Sequence, residues 1–369
     1  MITTTMFPGR YVQGADAIFR LGEELAAYGP KSLLVSSPFV HNYILPTLES
    51  DFEKYLEILV EKFERECTDE TIDTLTMIAR ENECDSICGF GGGKTIDTAR
   101  VVAHNLDLPF VVVPSIASSD APTSSSSVIY TPDGKYKRAV FTRRNPDLVL
   151  VDTQIISEAP VRYLVAGMGD ALSTYFEAES CRIHRRENSS GDHGSLMAYG
   201  IARLCYDTVL EYGRRAAIDC QAGAVTPALE HIVEANTLLS GVGFESGGLA
   251  AAHSIHNGLT ALSETHDYLH GEKVAFGVLT SLFYNDVPGE LIDEVYDFCE
   301  SVGLPTMLAD IGLKYVTDLE IEKVAAKACT DGEFIHNEAG MATPERIAPA
   351  IKAANAYGRA RRQTKYQGG

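Results

Sequence analysis

Short runs of apolar residues alternate with helix-like segments in the first part of the chain. Between two of these runs, residues 68–81 place Ile72, Leu75, Ile78 and Ala79 on one side at helical spacing, and Thr68 is a plausible N-cap. Continuous apolar runs between helices are typical of strands in a parallel sheet that is covered on both faces. The predicted strands are residues 32–36, 56–60, 85–90, 109–113 and 148–151.

A hairpin and then a change of pattern follow. Residues 128–130 and 138–142 flank the turn Pro132-Asp133-Gly134, which predicts a β-hairpin. After about Pro160 clear strand signals end, and helical spacing of Ala, Leu and Glu dominates. We therefore predict an α/β domain of the nucleotide-binding type over residues 1–158, and an all-helical domain over residues 159–369. The predicted helices of the second domain include residues 169–181, 195–212, 226–240 and 273–284.

The charge of the chain argues against two classes of partner. A formal net charge of −20 repels nucleic-acid phosphates and anionic membranes, so neither is expected to bind. No apolar run is long enough to span a membrane. The eight cysteines form no C-x-x-C pair, and residues 1–10 carry no signal-peptide pattern. We therefore expect buried free thiols and a cytoplasmic location.

A glycine-rich loop joins a predicted strand to a predicted helix at residues 89–95, GFGGGKT. Backbone N–H groups of such a loop can approach a phosphate closely, and the helix N-terminus favours the negative charge. A Walker A loop would require glycine at Cys88, and the Rossmann pattern G-x-G-x-x-G would require glycine at Lys94. The loop therefore indicates a diphosphate-binding site without specifying the ligand; a structural strand-to-helix turn is the alternative.

A hydroxyl-rich segment, residues 115–130, follows the next predicted strand. Ligands of open α/β sheets bind at the carboxyl ends of the strands, where hydroxyl groups can bond phosphate, ribose or amide groups. A solvated turn is the alternative interpretation of such a segment.

Aspartate and histidine residues in the helical half suggest a metal site. His253 and His256 lie three residues apart and share a helix face, and His266 and His270 follow. Residues 167–170, GMGD, open another predicted helix with Asp170 in its first turn. One aspartate and two histidines are a plausible ligand set for a divalent metal that keeps a position open for substrate. The alternative is that the histidines are core residues with hydrogen-bond partners, and that Asp170 only interacts with the dipole of its helix.

Five motifs together resemble the iron-containing (type III) alcohol dehydrogenase superfamily, and within it the glycerol-oxidising branch. The resemblance covers nearly the whole chain, in order. The motifs are GFGGGKTIDTAR at 89–100, PSIASSDAPTSSSSVIYTPDGKYKR at 114–138, GMGDALSTYFEA at 167–178, GVGFESGGLAAAHSIHNGLTAL at 241–262 and HGEKVAFG at 270–277.

The resemblance implies a Rossmann-like domain followed by a helical domain, as in dehydroquinate synthase, with the active site in the cleft between them. It implies that Asp170, His253 and His270 hold a catalytic metal, that Asp120 contacts the polyol, and that His256 lies nearby as a candidate proton relay. It also implies a set of cofactor-binding positions, namely Ser37, Gly91, Gly92, Gly93, Lys94, Thr95, Ser115, Ser118, Ser124, Ser126 and Tyr130.

The implied reaction is oxidation of glycerol, or a similar small vicinal diol, to the ketone dihydroxyacetone with NAD. Iron-using members carry a histidine where this chain has Thr174, which favours zinc. Members of the glycerol branch usually carry an aspartate where this chain has Ser37, so NAD is favoured while NADP stays possible. The resemblance also suggests a homo-oligomer, commonly an octamer.

Several alternatives stay open from the sequence. Within the superfamily they are a polyol-phosphate dehydrogenase and a reductase of small aldehydes or ketones, possibly linked to NADP. A lyase like dehydroquinate synthase is more distant. A dinucleotide-binding regulatory protein is the non-enzyme alternative, and the Asp170, His253 and His270 set argues against it.

Overall fold

The computed structural model describes residues 2–367, with side chains described as far as residue 364. In this part of the chain eight strands form, of which six make one parallel sheet and two make an antiparallel hairpin. The strands are β1 (Tyr11–Gly14), β2 (Lys31–Ser36), β3 (Glu57–Lys62), β4 (Ser86–Gly91), β5 (Phe110–Pro114), β6 (Ser126–Tyr130), β7 (Tyr136–Phe141) and β8 (Leu148–Asp152). The order in the large sheet is β1-β8-β5-β4-β2-β3.

Each predicted strand is present, with its ends within two residues of the expected ones, and the predicted hairpin is β6–β7. The sequence pattern did not predict β1. Its four residues, YVQG, are only half-buried at the edge of the sheet, so they carry neither a continuous apolar run nor a clear alternation.

Helices cover both faces of the large sheet. Successive side chains of a strand point to opposite faces, so each strand contributes to a core on either side. On one face Leu34 and Val113 pack in a core that includes Leu25 and Phe52. On the other face Leu33 and its neighbours pack in a core that continues into the helical half. The helices of this part are α1 (Leu21–Ala26), α2 (Leu45–Tyr55), α3 (Asp69–Glu81) and α4 (Gly93–Leu106). Thr68 caps α3 by accepting a hydrogen bond from the Thr71 N–H, as predicted.

From residue 153 onward the described chain is helical, which confirms the predicted fold class of a parallel α/β unit followed by helices. A π-helical turn, Ala235–Leu239, joins two of these helices. None of the described helices is both long and apolar enough to cross a membrane. The helices are α5 (Thr153–Glu158), α6 (Val161–His184), α7 (Leu196–Gln221), α8 (Pro227–Glu234), α9 (Ser240–Gly247), α10 (Ala251–Leu259), α11 (His270–Tyr284), α12 (Gly289–Val302), α13 (Asp318–Ala328) and α14 (Pro344–Gln367).

The start of α6 differs from the prediction. The helix begins at Val161, so Asp170 lies in its third turn and is not a first-turn partner of the helix dipole. Gly169 does not mark the start of a helix. It is a site of close contact between α6 and α11, because a Cβ there would lie 2.4 Å from the Gly271 oxygen. A Cβ on Gly271 would in turn lie 1.8 Å from the Ala166 oxygen. These glycines let α6 and the start of α11 approach closely, which brings Asp170 next to His270.

Candidate active site

The carboxyl ends of three parallel strands bring the predicted cofactor segments together. Gly91 at the end of β4 is in register with Pro114 at the end of β5, and the Ser115 N–H donates to the Gly91 oxygen at 2.9 Å. The Ser37 N–H, just after β2, donates to the Phe90 oxygen at 3.0 Å. Ser37, the glycine loop and the hydroxyl-rich segment therefore adjoin at one edge of the sheet, where α/β proteins bind ligands.

The glycine loop leads directly into the N-terminus of α4. Gly92 is the N-cap, and among the described residues no side chain caps this helix end. The first N–H groups of α4 are thus available to an anion. Gly91 allows the close approach, since a Cβ there would lie 2.8 Å from Thr95 Oγ1 and 2.9 Å from Ser37 Cβ. Gly93 is open, because a Cβ there would meet no described atom within 4 Å.

Lys94 does not stand alone beside this loop. Its Nζ donates to Glu66 Oε1 at 2.5 Å and lies 5.5 Å from the centre of the Tyr130 ring. The side chain is 52% exposed. A phosphate at the loop would therefore compete with Glu66 for this cation. Burial raises the pKa of the Tyr130 phenol to about 12, so this ring stays neutral near pH 7.

A buried arginine, which the sequence analysis did not single out, ties the hydroxyl-rich segment to α4. Arg100 donates to Asp97 Oδ1 at 2.9 Å, to Ser127 Oγ at 3.2 Å and to the Ala121 oxygen at 2.7 Å, and also to the Ser126 oxygen. The Ser124 hydroxyl is buried and donates to the Ala121 oxygen. Ser118 and Ser126 are half-buried. Arg100 thus fixes the shape of the segment that follows β5.

Three helices bring the predicted metal ligands together. Asp170 of α6, His253 of α10 and His270 of α11 each offer one ligand atom, and these atoms lie within 4.8 Å of one another. His270 Nε2 lies 3.1 Å from Asp170 Oδ1, and His253 Nε2 lies 3.5 Å from the same oxygen. Asp170 and His253 are deeply placed, whereas the side chain of His270 is 40% exposed. The cluster is therefore open on the His270 side.

Glu177 orients His253 and was missed by the sequence analysis. Its Oε2 lies 2.6 Å from His253 Nδ1, and its Oε1 accepts hydrogen bonds from the N–H groups of Ala250 and His253. The buried carboxylate thus caps the start of α10 and directs His253 Nε2 toward Asp170. A signal was present in the sequence, because Glu177 follows Asp170 by seven residues and so lies on the same face of a helix.

Asp120 joins the two parts of the chain at this cluster. It lies in the segment after β5, and its N–H donates to Asp170 Oδ2 at 3.2 Å. Its own Oδ2 accepts a hydrogen bond from the Ser240 hydroxyl at 2.9 Å. Thr174 contacts the same hydroxyl at 2.8 Å. The predicted polyol contact therefore lies directly beside the predicted metal ligands.

The charges of the cluster favour a cation. Burial raises the pKa of the Asp170 carboxyl, but His270 and His253 outweigh burial and lower it well below its usual range, so Asp170 is ionised. Burial lowers the pKa of His253, but Glu177 and Asp170 outweigh burial and raise it. Burial and the Asp170 charge raise the pKa of Asp120. Carboxylates thus surround His253, and a divalent cation would balance their charge.

The donor set fits a metal ion. Asp170 Oδ1 is buried, and among the described residues no donor makes a well-aligned hydrogen bond to it. An oxygen of this kind is costly to bury unless a cation binds it. One carboxylate and two imidazoles with an open side match catalytic sites that keep a position for substrate. Thr174 stands where the resemblance places a histidine in iron-using members. It is packed closely against α9, because a Cβ on Gly243 would lie 2.6 Å from Thr174 Cγ2.

The chain is similar to known proteins over most of its length. The family model for iron-containing alcohol dehydrogenases matches residues 8–153. The chain is 57% identical to a glycerol dehydrogenase of Thermotoga maritima, over 98% of this chain and 99% of that protein. It is 46% identical to a glycerol dehydrogenase of Escherichia coli O6:H1, over 95% and 96%. The structure matches the crystal structure of glycerol dehydrogenase from Schizosaccharomyces pombe with a TM-score of 0.94 and 39% identity, over 99% and 93%.

The matches to these relatives extend over both the sheet and the helices, whereas the family model covers the part that contains the sheet. The chain therefore belongs to the iron-containing alcohol dehydrogenase family, and the three relatives named above, which it matches over nearly its whole length, are glycerol dehydrogenases.

Proposed function

We propose that this protein is a zinc-dependent dehydrogenase that oxidises glycerol to dihydroxyacetone by transferring hydride to NAD. The observation that carries the proposal is the cluster of Asp170, His253 and His270 around a buried, unsatisfied carboxylate oxygen. The cluster adjoins Asp120, which lies in the segment after β5. The carboxyl end of β5 also forms part of the sheet edge where the predicted cofactor segments meet. The similarity to glycerol dehydrogenases supports glycerol as the substrate.

In the proposed site, Asp170, His253 and His270 hold the metal, and Glu177 keeps His253 in a metal-binding orientation. Bound there, zinc would supply Lewis acidity at a substrate hydroxyl, and NAD would supply the hydride acceptor. Asp120 orients a polyol hydroxyl beside Asp170. The helix end at Gly92 and Gly93 binds the pyrophosphate of the cofactor. Arg100 holds the segment after β5 that would line the cofactor site.

Removal and return of the metal is the first test. NADH formation from glycerol at alkaline pH is expected to be lost after treatment with a chelator and to return when zinc is added. NADP is assayed in parallel. Metal analysis of protein purified without added metal is expected to show about one zinc per chain, as three protein ligands with one open position predict. Stoichiometric iron in that analysis would contradict the zinc assignment.

The remaining outcomes of this assay each point to one residue or one substrate class. Activity with NADP alone would support the metal chemistry and make Ser37 the residue that sets cofactor choice, since a serine repels a 2′-phosphate less than an aspartate does. No reduction of either cofactor by folded, zinc-loaded protein would contradict glycerol as substrate. It would favour a phosphorylated polyol or a lyase reaction.

Substitution of Gly91 tests the cofactor edge separately. We expect Gly91→Ala to weaken NADH binding roughly tenfold, because the new Cβ would press on Thr95 and Ser37 and displace the loop. Zinc content should stay unchanged. Binding is measured by NADH fluorescence titration. Gly289→Ala at the start of α12 is the matched control, since a Cβ there meets no described atom within 4 Å. Wild-type NADH affinity in Gly91→Ala would contradict the proposed pyrophosphate site.

Three broader predictions stay proposals. We propose that the boundary between the two domains lies near residues 158 and 159, where β8 and α5 end and the longer helices begin. A cytoplasmic location is supported by eight free cysteines, seven of them buried. Association into a homo-oligomer, for which an octamer is the expected size, is supported by apolar side chains that α7 leaves exposed. They include Leu196, Met197 and Leu204.

A further inference from the structure

We infer that Glu333, acting through Asn257 and His256, sets the orientation and tautomer of His270, so that Nε2 is the ring nitrogen that this ligand presents to the metal site. The inference rests on the proposed metal site and adds residues that are not ligands themselves. Glu333 lies in the turn between α13 and the segment that leads to α14, far from His270 in the sequence. It does not touch His270, so it is a positioning residue.

The four residues form one unbranched chain of hydrogen bonds. Asn257 Nδ2 lies 3.0 Å from Glu333 Oε2 and 3.3 Å from Oε1. Asn257 Oδ1 lies 3.0 Å from His256 Nδ1. His256 Nε2 lies 3.1 Å from His270 Nδ1, and His270 Nε2 faces Asp170. Each link is within ordinary hydrogen-bond distance.

The direction of every bond follows from the carboxylate at the far end. An ionised Glu333 can only accept, so Asn257 must turn its NH₂ group toward Glu333 and its oxygen toward His256. His256 Nδ1 must then carry a proton, and the neutral ring leaves Nε2 as an acceptor. His270 Nδ1 must therefore donate, so the His270 tautomer that fits this chain has its free electron pair on Nε2, the atom that a metal would bind. That atom is the one that lies beside Asp170 and His253.

This arm parallels the shorter one at the other histidine ligand. Glu177 accepts directly from His253 Nδ1 and so directs His253 Nε2 toward Asp170 and the metal site. His270 reaches a carboxylate only through two intermediate residues. Its side chain is 40% exposed, compared with 12% for His253. The exposed ligand therefore has less packing to hold it and depends more on the hydrogen-bond chain.

The structure also shows why Asn257 rather than another residue transmits the effect. It neighbours His256 on α10, and its side chain reaches across to the turn after α13. Lys327 of α13 bonds the Thr260 hydroxyl, and the same hydroxyl donates to the Asn257 oxygen of the main chain. The backbone at Asn257 is thus fixed independently of its side chain. Substitution of the side chain is therefore expected to leave α10 in place.

Zinc affinity of the full-length protein is the decisive measurement, made by competition with a chromophoric chelator. Loss of a partner behind a ligand typically weakens metal binding 10- to 100-fold. We expect about this loss for Asn257→Leu and for Glu333→Ala. Glu333→Gln retains an oxygen that accepts from Asn257 and should stay within about threefold of wild type. Asp331→Ala removes a charge from the same turn. Asp331 is exposed and makes no hydrogen bond or ion pair through its side chain in the described part of the chain, so zinc affinity should stay unchanged.

A second readout separates positioning from a general structural defect. The melting temperature of the metal-free variants should match that of the metal-free wild type, and saturating zinc should restore most of kcat. Wild-type zinc affinity in both Asn257→Leu and Glu333→Ala would overturn the inference while leaving the metal site intact. If the wild-type protein itself binds no zinc, the proposed function fails instead. If Asn257→Leu does not fold, Glu333→Ala, a change in a surface turn, decides the question alone.

Discussion

His270→Ala is expected to lose zinc and almost all turnover while still binding NADH. The substitution removes the Nε2 atom that lies 3.1 Å from Asp170 Oδ1 and leaves only Asp170 and His253 as donors. We expect zinc affinity to fall by at least about a hundredfold, more than for loss of a supporting partner, and kcat to fall about a thousandfold. Zinc content and NADH formation from glycerol are measured on the same preparation.

The chain offers a matched control for this experiment. His266 is an exposed histidine four residues earlier, and its ring contacts the Thr260 oxygen rather than the cluster. His266→Ala should therefore keep wild-type zinc content and turnover. NADH titration should give the wild-type affinity for both variants, because the glycine loop at the end of β4 is separate from α11. Full zinc occupancy and full turnover in His270→Ala would show that another residue completes the site.

Arg100→Met is expected to cause the largest loss of stability. The guanidinium is 2% exposed and bonds Asp97, Ser127 and the main-chain oxygens of Ala121 and Ser126. Without it, Asp97 becomes a buried carboxylate with no balancing charge. Breaking a buried ion pair from one side typically costs about 3–5 kcal/mol of the free energy of unfolding. Chemical denaturation monitored by circular dichroism measures this loss.

Two further variants locate the cause. Arg80→Met removes an exposed arginine on α3 for which the described structure records no partner, and it should stay within about 0.5 kcal/mol of wild type. Asp97→Asn combined with Arg100→Met removes the unpaired charge and should recover part of the loss. An unchanged free energy of unfolding in Arg100→Met would show that the ion pair of Asp97 and Arg100 is not needed for stability. We also expect weaker NADH binding, because Arg100 fixes the segment after β5.

The same pair predicts a pH dependence. Burial raises the pKa of Asp97, and the attraction of Arg100 together with hydrogen bonds lowers it only in part. In Arg100→Met the pKa in the folded state rises further above the ordinary value of 3.8. A carboxyl whose pKa is raised in the folded state costs stability that grows as the pH rises above the unfolded-state pKa and levels off above the raised pKa. The deficit of the variant should therefore be smallest in acid near 3.8, grow as the pH rises toward the raised pKa of the variant and level off above it.

Much of this protein was predictable from local pattern. The five predicted strands of the sheet and the helix at α3 follow from apolar runs and helical periodicity, because burial of one face or of a whole strand leaves a repeating mark on the sequence. The glycine loop was predictable because only glycine allows the approach at Gly91. Asp170, His253 and His270 carried a signal because metal ligands come from few residue types, and the resemblance to a family gave them roles.

Local pattern was insufficient where a residue works through contacts far along the chain. The glycines at 167 and 169 suggested the start of a helix, but they lie inside α6, where α11 and the segment after β5 pack against them. Glu177 shares a helix face with Asp170, yet nothing local shows that its partner is His253, 76 residues away. Asn257 and Glu333 are separated by the same distance and look like ordinary polar surface residues.

The sequence by itself determined most elements of the fold, though not β1 or the start of α6, together with the phosphate-binding type of loop and the chemical types of the ligands. Each of these depends on neighbouring residues and their periodicity. Only the tertiary structure decided which carboxylate supports which histidine, that Asp120 meets Asp170, and that Arg100 holds the segment after β5. These pairs arise from the packing of separate helices and strand ends against one another. Hydrogen bonds between such distant residues have directions and lengths that no repeat along the chain encodes.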